Sequence, residues 1–141
     1  MNALWAQLAE GYRKQEELYD EALALVGRQQ RLMESEPDPT ALLALCDQTE
    51  KLMARIAAIE QALAPAKEEW EKTREDPTGE LRRVLGSIEA LIGQISRGQE
   101  AVQALLLAFV ERQRAVTEAA RADVKVGQAR RAYDTDGGKA A

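Results

Sequence analysis

A chain of 141 residues with a net charge of -5, 45% hydrophobic and 30% charged, has the balance of a single soluble domain and not of a fibrous or membrane-spanning protein. Its apolar share is mostly 25 Ala and 17 Leu against one Phe, two Trp and three Tyr, a mixture that favours helices and offers little of what strands prefer. The absence of histidine removes the commonest general base and transition-metal ligand, and a single cysteine excludes an internal disulfide.

The N-terminal stretch MNALWAQLAEGYRKQEE lacks both a basic start and a continuous apolar run, so the expectation is a cytoplasmic protein without membrane insertion. From there the apolar residues step by threes and fours through Leu4, Leu8, Gly11, Gln15, Leu18, Ala22, Leu25, Gln29 and Leu32, which predicts a first helix over about 2–35. A second row at strict sevens, Trp5, Tyr12, Tyr19, Val26 and Met33, widens the buried stripe and requires more than one neighbour. It is read as core.

Two breaks, ESEPDPT at 34–40 and EDPTGE at 75–80, share the tripeptide Asp-Pro-Thr. An Asp can cap a helix N-terminus and a Pro can occupy its first position, where no amide donor is missed, so each break is expected to end one helix and begin the next. The second helix is predicted over about 39–74, with its row at Leu42, Leu45, Thr49, Leu52, Ile56, Ile59, Leu63, Ala66 and Trp70. Pro65 interrupts this row and is expected to kink or break the helix near Leu63, while Cys46 is expected as a small buried side chain.

The third helix is predicted over about 77–131, along Leu81, Val84, Ile88, Leu91, Ile95, Gly98, Val102, Leu105 and Phe109, then Val116 and Ala119. Gly86, Gly93 and Gly98 weaken its middle by up to about 1 kcal/mol each relative to Ala, so local bending is expected there. At 1.5 Å per residue the first two helices reach roughly 50 Å and the third about 80 Å. Its last turns, from about Arg112, therefore outrun any sequence-local partner, although Val116, Ala119, Ala120 and Val124 keep an apolar strip. Self-association, folding back or capture of another protein's helix would each cover it.

The fold class expected is an all-α, elongated antiparallel bundle of three long helices over 1–131, followed by a flexible C-terminal tail over 132–141. Charge is uneven: residues 36–76 carry ten acidic and five basic side chains, residues 77–141 eight and ten. Glu111, Glu118 and Asp123 interleave with Arg112, Arg114, Arg121 and Lys125, which argues against a nucleic-acid-binding face. No Gly-rich phosphate loop, Ser-centred elbow or paired-cysteine motif appears, so neither an enzyme nor a cofactor or metal site is expected.

The tail RRAYDTDGGKAA carries Tyr133, Asp134, Thr135, Asp136 and Gly137 after the long helix. This Y-x-x-D-G pattern resembles the C-terminal signature of FlgN-like flagellar type III export chaperones, with Asp134 standing where glycine is frequent in relatives. The resemblance implies a cytosolic chaperone that binds the C-terminal helices of flagellar hook-filament junction proteins and delivers them to the export gate. It also implies that Tyr133, Asp136 and Gly137 dock on the cytosolic domain of the gate protein. Leu105, Phe109, Val116 and Ala120 are then the candidate client-binding residues, by capture of an amphipathic helix. A homodimer is possible on the same strip, and the competing expectation is a self-associating coiled-coil scaffold or adaptor without a client.

Overall fold

The computed structural model describes the backbone of residues 3–140 and the side chains of residues 3–132. Three α-helices account for it: α1 (Leu4–Ser35), α2 (Pro39–Trp70) and α3 (Glu80–Ala140). The chain is all-α, as composition and periodicity require. It divides into two units, Met1–Leu105 and Leu106–Ala141.

The first unit is a three-helix bundle. Gln15 on α1 donates to the Ile56 carbonyl on α2 at 3.0 Å, and Gln29 donates to Thr49 Oγ1 at 3.3 Å. Rising numbers on α1 thus meet falling numbers on α2, so the two are antiparallel. Arg13 pairs with Glu80, and Val26 lies against Gly98, which makes α1 and α3 parallel.

The core has two parts. Leu8, Ala9 and Tyr12 pack with Leu81, Val84 and Ile88 at one end, where Trp5, Leu63, Ala66 and Trp70 lean in half-buried. Further along, Leu18, Ala22, Leu25 and Val26 pack with Leu45, Leu52, Ile56 and Ile95. Leu8, Val26 and Leu81 are sealed to 0–1% exposure, and each contributes about 2 kcal/mol by leaving water. The row of sevens on α1 is core: Tyr12, Val26 and Met33 are buried, and Trp5 and Tyr19 half-buried.

Three polar residues sit inside this core and all are satisfied. Gln15 also donates to Glu60 at 3.1 Å, and Thr49, which accepts from Gln29, donates to the Leu45 carbonyl at 3.0 Å. Unpaired, each would cost about 1–3 kcal/mol. Paired, they fix the register of α1 on α2, because a slip of one turn would strand them.

The two Asp-Pro-Thr segments behave differently. At the first, Asp38 Oδ1 accepts from the amides of Thr40 and Ala41, and Pro39 opens α2 as expected. At the second, α3 begins at Glu80 and not at Pro77. Gly79 follows the tripeptide where Ala41 follows the first, and it takes a φ of 70°, a conformation that costs glycine nothing. The chain makes one more turn, and the Asp76 carboxylate then caps from five and six residues back, accepting from Leu81 at 3.1 Å and Arg82 at 2.9 Å.

Other expectations also need correction. α2 ends at Trp70 instead of near 74, because Arg74 adopts a φ of 54°, its amide donates to the Trp70 carbonyl, and the Trp70 indole donates to the Glu75 carbonyl. Pro65 does not break α2, which runs on through it. It lies on the exposed side of the helix, where water can take the carbonyl that proline leaves without a donor. Cys46 is half-buried and not buried, since it lies one residue beyond Leu45 at the margin of the stripe.

Candidate interaction surface

The second unit, described by itself, is helical from Leu106 to Ala140. Every described residue from Val110 to Val126 is exposed. Among them Val116 is 64% exposed, Val124 56% and Val126 51%, while Leu107, just before, is 63% exposed. These large aliphatic side chains, exposed within little more than five helical turns, make the stretch the candidate interaction surface.

Of the expected client-binding residues, Leu105 and Phe109 are half-buried, and Val116 and Ala120 are exposed. Within the second unit the spacings of seven and four set Phe109, Val116 and Ala120 on one side of α3, because seven residues make nearly two turns. Leu105 closes the first unit and the other three belong to the second. Leu107, Val110 and Val126 were absent from the expected strip although they are exposed apolar residues of the same stretch. The signal for Val126 was its place in the row of threes and fours. Leu107 and Val110 lie off that row, and their exposure alone singles them out.

Charged side chains share the stretch. Glu111 and Arg114, and Glu118 and Arg121, stand three residues apart on α3, a spacing that makes them neighbours on the helix surface. Arg112 and Asp123 are exposed and fall on the apolar row itself. No ion pair engages either of these two among the described residues.

In the first unit, burial and the charges of Glu60 and Glu71 raise the Tyr12 phenol above its ordinary value of 10.0. Burial and Glu60 raise Tyr19 in the same way. Both phenols are thereby held neutral, and this belongs to the core, not to a site. Among the described residues no group of three or more His, Cys, Asp or Glu is placed to hold a metal ion. No helix of the described residues is long and apolar enough to cross a membrane.

The expected gate-docking residues Tyr133, Asp136 and Gly137 have their side chains outside the described residues. The backbone of α3 carries past 131, where the helix was expected to end, to Ala140. No protein-family model matches the chain, and neither a curated protein nor a solved structure matches it.

Proposed function

We propose that the protein is a cytoplasmic export chaperone of the FlgN-like kind, which holds an amphipathic helix of its client against the exposed apolar side of α3. The observation that carries this reading is the unbroken exposure from Val110 to Val126, with Val116 at 64%. The first unit has a core of its own, built from two clusters of α1, α2 and α3 side chains. An amphipathic client helix would cover this surface through anchors spaced by three and four residues, the mode in which one helix seats its apolar face on another.

In this reading the clients are the C-terminal helices of flagellar junction proteins, and Tyr133, Asp136 and Gly137 dock on the export gate. The Y-x-x-D-G resemblance supports both. One tyrosine suits such a contact, because it offers a large apolar face together with a hydroxyl. Affinity purification from a flagellated cell tests the proposal. Recovery of junction proteins is expected, and Tyr133→Ala is expected to lose the gate domain while keeping the client. Recovery of neither from cells that are exporting filament would overturn it.

A further inference from the structure

The apolar row of α3 continues into the second unit as Phe109, Arg112, Val116, Ala119, Asp123 and Val126, stepping by three and four without a slip. Such a row is the seam of a two-stranded coiled coil, in which the positions facing a partner alternate along one side of the helix. Two charges interrupt it, and they are not randomly placed. Arg112 and Asp123 are equidistant from a point between Thr117 and Glu118.

We infer that a second copy of this chain covers this side of α3, antiparallel to the first, with Arg112 of each copy opposite Asp123 of the other. The inference stands on the seam and does not depend on the export reading; a client helix taking the same side would displace the second copy. In an antiparallel pair centred on that point Phe109 meets Val126, Arg112 meets Asp123, and Val116 meets Ala119, each layer occurring twice by symmetry. Every apolar residue of the seam then faces an apolar one, and both charges are neutralised. A parallel pair in register would set Arg112 on Arg112 and Asp123 on Asp123, a juxtaposition that disfavours binding.

The flanks of the seam agree. One side carries Ala108, Ala115, Ala122 and Ala129 at strict sevens, and the other carries Gln113, Ala120 and Gly127. No charge borders the seam there, and small side chains let two helix backbones come close. The ionic residues Glu111, Arg114, Glu118, Arg121 and Lys125 are left for the outer side. An unrelated antiparallel helix would need a basic residue and, eleven positions on, an acidic one. A second copy supplies that spacing by construction.

Sedimentation of the full chain over a range up to high micromolar concentration tests the inference with charge reversals at two exposed positions. The wild type is expected to dimerise. Arg112→Asp alone sets Asp against Asp123, and Asp123→Arg alone sets Arg against Arg112, so each should weaken dimerisation by about tenfold or more. The chain carrying both changes should dimerise like the wild type. Mixing the two singly changed chains should also restore the dimer, because each then meets its complement. A wild type that stays monomeric overturns the inference and leaves the strip to a client. Single variants that dimerise as well as the wild type, or a mixture that fails to recover, overturn the antiparallel register.

Discussion

Gly86 and Gly98 lie on the same helix in the first unit, yet replacing each by Ala should move stability in opposite directions. Alanine in a helix is favoured over glycine by about 0.5–1 kcal/mol, because glycine loses more backbone freedom on folding. At Gly86 nothing lies within 4 Å of where a Cβ would stand, so Gly86→Ala should show that gain in full. At Gly98 the new Cβ would fall 2.6 Å from Val26 Cγ1, against about 3.5–4.0 Å for carbons in contact. Val26 is only 1% exposed and β-branched, so it has no open side to turn to. Forcing α3 away from α1 there costs about 1–3 kcal/mol, as overpacking does, and outweighs the helix gain. The two variants should therefore differ by roughly 1–3 kcal/mol, or about 4–12 °C in melting temperature at about 4 °C per kcal/mol for a unit of this size. Thermal and urea unfolding followed by circular dichroism read the difference. Equal stabilisation by both substitutions would refute the close approach of α1 and α3 at Gly98.

Other outcomes follow from the caps and the core. Asp76→Ala removes the acceptor for both the Leu81 and Arg82 amides and should cost about 1–2 kcal/mol in urea unfolding; no change would mean that water replaces it at no cost. Gln15→Ala should cost more than a surface substitution, about 1–3 kcal/mol, since it removes a buried side chain that bonds both the Ile56 carbonyl and Glu60; a loss under about 0.5 kcal/mol would contradict that role. The raised Tyr12 and Tyr19 phenols keep their protons to higher pH in the folded chain than in the unfolded one, which ionises near the ordinary value of 10.0. Their contribution is present in full below that value and is lost as pH rises through the folded values, so stability should fall with alkalinity and less steeply in Tyr12→Phe. Phenolate absorbance that rises at the same pH in native and unfolded protein would contradict the shift.

Much of the fold could be read before any coordinates. The threes and fours on each helix, the sevens from Trp5 to Met33 and the placement of Gln15, Gln29 and Thr49 within apolar rows all describe the buried faces as they stand. Periodicity is local, so it identifies a face without naming what covers it. That is why the pairing of Gln15 with Ile56 and of Val26 with Gly98 was not legible. The second Asp-Pro-Thr misled for a related reason: the residue after the tripeptide, Gly79 in place of Ala41, decides whether the cap is immediate or delayed by a turn. On the candidate surface, Val116 was legible from the row and Ala120 from its place beside it, whereas Leu107 and Val110 lie away from both. Arg112 and Asp123 read as ordinary solvated charges until their symmetric places on an exposed seam were considered.

The central claim is that the exposed side of α3 binds a helix of the client. Titration calorimetry with peptides of the C-terminal helices of the flagellar junction proteins from the same genome tests it most directly, using the wild type and Val116→Asp. Val116 is 64% exposed, so the change should leave helicity and melting nearly untouched, within about 0.5 kcal/mol. On a face buried in the complex it places an unpaired charge against apolar surface, and binding should weaken by about 2 kcal/mol or more. Saturable binding by the wild type and its loss in Val116→Asp is the predicted result. No binding by the wild type, or equal binding by both chains, would contradict the account.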